Sequence, residues 1–475
     1  MIKHTLGWLL MFETAFFLLP MITAVCYGEW KTLFAFLISA LICLALGGLC
    51  IIKKPKKTTI YAREGFVIVS LSWILLSVFG ALPFLFCGAT ESFVDALFET
   101  ASGFTTTGSS IFREVESLPK AILMWRSFTH WIGGMGVLVF IMAFLPLGGG
   151  QNMHIMRAES PGPEVSKLVP KVKQTALILY SIYFVLTLAQ IIALLISGMS
   201  FFESINTAFA TAGTGGFGIK NDSIASFPAA QQVIITLFML IFSINFNSYY
   251  LVLRLKFKDA FNAEVRAFIL IVVSAIAIVT LNIYQSYGSI GEAIRHSAFT
   301  VASLISTTGF ATENFDLWPA LSKTVLVLIM FIGACAGSTG GGIKVSRILI
   351  IFKGFVREIY TLIHPKQVKK ITIDKRPVDR EVVRSVNAYL ACYILVFTIS
   401  LLLITLDNHD LVTNFTAIAA TINNIGPGLS GVGPAANFAD FSVFSKLVLT
   451  FNMIAGRLEL FPMLILFSPA TWKRH

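Results

Sequence analysis

The stretch Ser102-Gly103-Phe104-Thr105-Thr106-Thr107-Gly108 decides how this chain is read, because it returns three more times in altered form. The later copies are Ala212-Gly213-Thr214-Gly215-Gly216-Phe217-Gly218, Ser306-Thr307-Thr308-Gly309-Phe310 and Asn423-Asn424-Ile425-Gly426-Pro427-Gly428. Aligned on Gly108, Gly216, Gly309 and Gly426, the residue two places earlier is polar: Thr106, Thr214, Thr307 and Asn424. Six places earlier it is small: Ser102, Ala210, Ser303 and Ala420. Four spaced copies point to one structural unit used four times. Glycine adopts dihedrals closed to other residues, so the carbonyls before it are free to turn toward a common axis. Rings of carbonyls replace the water shell of a dehydrated cation. One such loop is explained most simply by close helix packing; four at equivalent positions are not.

Composition sets the environment. Of 475 residues, 56% are hydrophobic and 13% charged, with a mean hydropathy of +0.80. Repeated long apolar runs of this kind mean a polytopic membrane protein. The net charge of +11 would suit a polyanionic partner, but its placement does not. Lys3 and five basic segments (Lys53–Arg63, Arg157–Lys173, Arg254–Arg266, Lys344–Arg384 and Lys473–Arg474) hold 27 of the 36 Lys and Arg residues. That is the positive-inside pattern, so nucleic acid is not called for, and both termini are placed in the cytoplasm. The basic stretch 354–384 fits topology and anionic lipid as well as it fits a docked partner. The six cysteines lie in apolar segments without metal-ligand spacing and read as small buried side chains. The first apolar run, interrupted by Glu13 and Pro20, reads as a retained helix.

Taken in order, residues 5–27 and 32–52 form two spans that stand outside the repeat. Four units of span, short helix, glycine loop and span follow: 64–87, Glu91–Ser102 and 120–146; 173–198, 201–212 and 229–253; 265–287, 290–304 and 321–353; 385–406, 410–421 and 443–468. The short members cannot cross about 30 Å of hydrocarbon, so each enters the membrane and stops midway. Ser200, Ser289 and Asn408 supply helix starts. The expected fold is an all-α polytopic membrane protein with ten spanning helices and four half-length pore helices around one pore. Its divisions are an N-terminal helix pair (1–58) and pore repeats at 59–150, 151–258, 259–360 and 361–475.

On these four loops the chain resembles the Trk/Ktr/HKT superfamily of potassium transporters. The likeness runs through nearly the whole length, and the extra N-terminal pair favours the TrkH type over the shorter KtrB type. The resemblance implies one selectivity filter per subunit, with K⁺ held by Thr105, Thr106, Thr107 and Gly108; Gly213, Thr214, Gly215 and Gly216; Ser306, Thr307, Thr308 and Gly309; and Asn423, Asn424, Ile425 and Gly426. Glycine at position 108, where sodium-preferring plant relatives carry serine, implies potassium. The second loop, Gly213-Thr214-Gly215-Gly216, is richer in glycine than the family pattern. The resemblance also implies a homodimer in a bacterial inner membrane. A cytosolic nucleotide-binding ring of the TrkA type would sit on the inner face, with no organic cofactor in this chain.

Two further features bear on gating. Gly333-Ala334-Cys335-Ala336-Gly337-Ser338-Thr339-Gly340-Gly341-Gly342 lies within the last span of the third repeat. Each glycine costs a helix about 1 kcal/mol relative to alanine, so the span breaks here. Gly337, Ser338, Thr339, Gly340, Gly341 and Gly342 would form a gating loop across the path below the filter, as the resemblance also implies; a packing kink is the alternative. Arg457 lies inside the last span, where a cation costs about 2.5–3.5 kcal/mol. It is read either as a positive charge facing the path or as a partner of Glu459 or an asparagine. Asn245 and Asn247 either face a wet vestibule or bond a neighbouring helix. Arg126 and His130 read as structural beside Trp125 and Trp131 at the membrane interface, and Asp95 and Glu203 either attract cations or cap pore helices.

The expected function is potassium uptake through a gated selectivity-filter pore. A symporter coupled to Na⁺ or H⁺ and the potassium-binding subunit of an ATP-driven pump are the alternatives. No set of His, Cys or carboxylates gathers at catalytic spacing, so an enzyme is not expected.

Overall fold

A computed structural model of the chain describes residues 1–52, 62–136, 172–367 and 370–473. Helices dominate, and among the described residues the only sheet is the two-residue pairing of Thr372–Ile373 with Arg376–Pro377. Six described helices are long and apolar enough to cross a bilayer, or seven if one pair bent by 91° is counted as a single span. The chain is therefore a multi-pass membrane protein.

The ten unbroken spans expected from the sequence do not all form, and the reason lies in the second helix of each repeat. These inner helices are Lys120–Gly134, Ala229–Phe242, Ala320–Ile332 and Val443–Arg457. At 1.5 Å per residue they measure about 20–22 Å, short of the hydrocarbon thickness. The second resumes as Phe246–Leu253 after a bend of 91°, the third as Val345–Ile363, and the fourth as Phe461–Ile465. The first stops beside Gly136, and the rest of its expected span to 146 lies outside the described residues. Only the third break was anticipated.

Four short helices alternate with these: Phe93–Phe104, Phe201–Ala212, Ile290–Ile305 and Leu411–Ile422. Their starts are set by side-chain caps, because the first backbone N–H groups of a helix have no partner within it. Ser92 accepts from the Asp95 N–H, Ser200 from Glu203, Ser289 from Glu292, and Asp410 from Thr413. Asp410, not Asn408, caps the fourth. Glu203 closes a capping box with Ser200, while Asp95 is held by the Lys446 ammonium at 2.6 Å.

The N-terminal pair, Ile2–Tyr27 and Trp30–Ile51, packs on the first repeat. Phe17 meets Trp125 at 4.9 Å between ring centroids. Glu29 accepts from the N–H groups of Lys120 and Ala121 at 2.6 and 3.0 Å, capping the first inner helix. Trp125 is fully buried and donates to the Gly80 carbonyl at 3.0 Å, so it does not mark the interface as its sequence position suggested. Of the cysteines, Cys43, Cys87 and Cys335 are buried, Cys50 and Cys392 are half-buried, and Cys26 is exposed on its helix. The basic linker folds back: Lys353 donates to the Thr372 carbonyl and Asp374 pairs with Arg266.

Candidate ion-permeation site

Each short helix ends in the same hydrogen-bonded hook. In the first, Thr107 N–H reaches the Ser102 carbonyl at 2.9 Å and Thr106 N–H reaches Gly103 at 3.1 Å. The pairs Gly215–Ala210 and Thr214–Thr211, Thr308–Ser303 and Thr307–Leu304, and Ile425–Ala420 and Asn424–Thr421 repeat it, at 2.8–3.2 Å. This is the Schellman ending, whose pivot residue must be left-handed. Here the pivots are Thr106, Thr214, Thr307 and Asn424, with φ of 57, 55, 60 and 54°. A β-branched residue in that region is strained by on the order of 1–3 kcal/mol. Thr106 and Thr214 fold their hydroxyls onto the preceding carbonyls at 2.7 and 2.6 Å. The small residue six places before each glycine thus supplies the carbonyl that closes the hook.

Two residues past each pivot stands the aligned glycine, with φ of 82° at Gly108, 74° at Gly216, 85° at Gly309 and 102° at Gly426. The loops lean on one another in cyclic order. A Cβ on Gly108 would lie 2.0 Å from the Gly215 oxygen, one on Gly216 1.9 Å from that of Thr308, and one on Gly309 2.0 Å from that of Ile425. Gly426 completes the circle, 2.9 Å from the Thr107 oxygen by the same measure. The four loops therefore form one closed ring. The carbonyls of Thr106 and Thr107, Thr214 and Gly215, Thr307 and Thr308, and Asn424 and Ile425 accept no hydrogen bond from the described residues, although all eight residues are buried. Buried carbonyls are ordinarily paired; eight unpaired at equivalent places make a polar ring where the four loops meet. Above it, all four glycines line a cavity of about 140 Å³.

Polar side chains absent from the expected site brace the ring from behind. Glu99, fully buried, accepts from Arg126 Nε at 2.8 Å, from Ser110 at 3.0 Å and from Ile111 N–H at 2.9 Å. Arg126 continues to the Gly218 carbonyl at 3.1 Å and lies over the Phe217 ring at 4.1 Å. His130 sits between the Gly103 carbonyl, at 2.7 Å, and the Phe217 N–H, at 3.2 Å. A Cβ on Gly213 or Gly215 would lie 2.2 Å from His130 atoms, so the glycine content of the second loop follows from close packing. The available signal was a carboxylate and a guanidinium in apolar segments, 27 residues apart.

Below the ring lies the break at 333–344. Gly341 N–H donates to the Thr307 hydroxyl at 2.6 Å, and a Cβ there would lie 2.4 Å from the Asn423 oxygen. Gly340 faces the Ser306 oxygen, 2.8 Å from its would-be Cβ. The segment also uses the second repeat's break: Cys335 N–H bonds the Ser243 carbonyl at 3.1 Å, and Phe246 N–H bonds that of Gly337 at 3.0 Å. Asn245 lies against Gly337, 3.0 Å from its would-be Cβ, and its Oδ1 accepts from the Asn247 N–H at 2.9 Å, capping its own helix. Glu264 accepts from Ala336 and Ser346 N–H at 2.7 and 3.1 Å, clasping both sides of the break. Lys344, grouped by sequence with the cytoplasmic basic run, is buried and donates to the Gly340 carbonyl.

Arg457 is buried and donates to the carbonyls of Thr339 at 2.8 Å, Gly133 at 2.6 Å and Gly134 at 2.5 Å, and to the Thr106 hydroxyl at 3.3 Å. Glu459 does not pair with it; that carboxylate takes a two-pronged bond from Arg347. The four loops that carry the sixteen expected filter residues thus close into one ring, with Gly340, Gly341 and Arg457 directly against it. No cluster of three or more His, Cys, Asp or Glu side chains suited to a metal occurs among the described residues.

Comparison with known proteins bears on this arrangement. The family model described as TrkH, cation transport protein, matches residues 32–474. The Trk system potassium uptake protein TrkH of Escherichia coli K12 is 37% identical over 480 residues, covering 99% of each chain. That of Halomonas elongata is 34% identical over 487 residues, covering 100% of this chain and 99% of the relative. The crystal structure of the potassium transporter TrkH from Vibrio parahaemolyticus matches with a TM-score of 0.89 at 34% identity, over 99% of each chain. The fourfold ring and these matches lead to one conclusion: the chain belongs to the TrkH family of cation transport proteins.

Proposed function

We propose that this protein takes up K⁺ across a bacterial cytoplasmic membrane through a gated pore whose filter is the ring of four loops. The observation that carries the reading is the eight buried carbonyls without hydrogen-bond donors, in a cycle that closes on itself. A cation entering from the 140 Å³ outer cavity would exchange water oxygens for these carbonyl dipoles. The C-terminal ends of the four short helices add negative potential at the same place. Thr105–Gly108, Gly213–Gly216, Ser306–Gly309 and Asn423–Gly426 are the proposed K⁺ ligands, within pore repeats divided as the sequence suggests. A membrane potential of about 100 mV is worth roughly 2.3 kcal/mol per charge, enough for about fiftyfold accumulation with no pump.

In the same reading Gly337–Gly342 is the gate and Arg457 its anchor. The loop would block the path in this conformation and swing aside when its contacts to Thr307, Arg457 and Glu264 release. The potassium uptake relatives are named as parts of a Trk system. That supports a Trk-system partner, which in this reading is a cytosolic nucleotide-binding ring of the TrkA type on the inner face of a homodimer whose termini are cytoplasmic. The test is reconstitution of the purified chain into liposomes, with Rb⁺ and Na⁺ uptake measured for wild type and Gly108→Ser. The serine side chain would enter the space held by the Gly215 carbonyl, so a lowered Rb⁺ preference is expected. An unchanged preference would remove Gly108 from the filter. Uptake that persists after the Na⁺ and pH gradients are collapsed would exclude a symporter.

A further inference from the structure

We propose that His130 is the positioning residue that fixes the spacing of the first and second filter loops and thereby sets which alkali cation the ring admits. The proposal rests on the permeation reading above. The Gly103 carbonyl can only accept, so the nitrogen 2.7 Å from it, Nδ1, carries the proton. The Phe217 N–H can only donate, so Nε2, 3.2 Å away, presents its lone pair. The ring is therefore the neutral Nδ1–H form, and a second proton would set one N–H against another. Each ring nitrogen holds one loop. Gly103 is the carbonyl that receives Thr106 N–H in the first hook, and Phe217 directly follows Gly216 in the second loop.

The imidazole also fills the space where a side chain on Gly215 would stand, 2.2 Å from its would-be Cβ. Its far face meets the Phe217 ring at 4.3 Å, with the Arg126 guanidinium on that same ring at 4.1 Å. Fully buried and held on every side, the ring works as a rigid spacer. Its thickness and the reach between its two nitrogens set how far the Thr107 and Gly215 carbonyls stand apart. Discrimination between K⁺ and Na⁺ turns on that separation or on the field those carbonyls impose, and a floppy spacer loosens both. No other described side chain bonds the end of the first pore helix and the residue after the second glycine together.

The experiment is Rb⁺ and Na⁺ uptake by liposomes containing the full chain, as wild type, His130→Ala, His130→Asn and His130→Gln. Asparagine keeps a donor at the Nδ1 position and glutamine an acceptor near Nε2, so each retains one of the two bonds. The expected result is a Rb⁺:Na⁺ ratio reduced about tenfold in the alanine variant, through gained Na⁺ uptake, with the amide variants intermediate. Ratios within about twofold of wild type in all three would overturn the proposal. So would a fall in both fluxes at constant ratio, which marks a structural residue only. If His130→Ala does not purify as folded protein, the amide pair decides on the same ratio. Wild-type liposomes that pass no alkali cation would instead sink the permeation reading, and this inference with it.

Discussion

Arg457 Nη1 lies 2.8 Å from the Thr339 carbonyl and 3.3 Å from the Thr106 hydroxyl, so one guanidinium ties the glycine-rich break to the pivot of the first glycine loop. Its other terminal nitrogen is spent on the Gly133 and Gly134 carbonyls. Hydrogen bonds to a charged group contribute about 1.5–3 kcal/mol each. Arg457→Ala removes this tie and is expected to raise cation flux about tenfold in liposomes without partner protein. Flux unchanged or lower would show that the tie does not hold the path shut.

Glu264 gives the break a second anchor of a different kind. Its carboxylate satisfies the N–H groups of Ala336 and Ser346 on either side of the glycines. Leaving a buried donor unpaired costs about 1–3 kcal/mol. Glu264→Ala should therefore also favour the open loop, and Glu264→Gln, which keeps one carbonyl acceptor, should do so less. Cysteine-accessibility labelling at Ser338 in the two backgrounds checks the order; equal labelling would contradict it.

The Glu99–Arg126 pair concerns stability before conduction. Both side chains are buried, and removing one partner leaves an uncompensated charge at a cost of about 3–5 kcal/mol. Glu99→Ala is expected to lower the thermal midpoint in detergent sharply. The double variant Glu99→Leu with Arg126→Met should recover much of that loss. A double variant no better than the single one would mean that the hydrogen bonds to Ser110 and Ile111, rather than the charge, carry the effect.

Asp410 caps the short helix Leu411–Ile422. The Thr413 hydroxyl and N–H, with Ser430, hold its carboxyl below the ordinary carboxylate value. A depressed carboxyl stabilises the fold fully above its unfolded pKa of about 3.9 and loses that contribution as pH falls through the folded value. The thermal midpoint should therefore drop below about pH 4, and Asp410→Asn, still a competent cap, should flatten that part of the curve. An identical acid limb in the variant would assign it to other carboxylates, Asp407 first.

Much of this arrangement was legible in the sequence because its signals are local. A helix too short to span, an N-cap, a small residue and a glycine recur at fixed spacing, and the structure turns each set into the same hook. The interruptions of the second and fourth inner helices were not legible. They fall at Ser243–Asn245 and at Glu459–Leu460, and the latter two residues both adopt positive φ, which no composition rule assigns to leucine. Tertiary contact chooses these conformations: Ser243 serves Cys335, and Glu459 turns to Arg347. That His130, read from sequence as structural, joins two loops was hidden for the same reason, since they lie 27 residues before it and 87 residues after it.

The ring in which Gly108 presses on loop two, Gly216 on three, Gly309 on four and Gly426 back on one behaves mechanically as a hoop. Widening any single loop must stretch its neighbours, so the aperture resists deformation as a whole rather than segment by segment. The hoop is not equally tight all round. Three seams would bring a methyl group to 1.9–2.0 Å from carbonyl oxygen, but the Gly426 seam leaves 2.9 Å. That roomier seam is closed by hydrogen bonds instead, from Asn424 Nδ2 to the Thr107 hydroxyl at 2.9 Å and from the Ser109 hydroxyl to the Gly426 carbonyl at 3.0 Å. Redesign aimed at a larger permeant ion therefore has spare room there only while those two ties are kept.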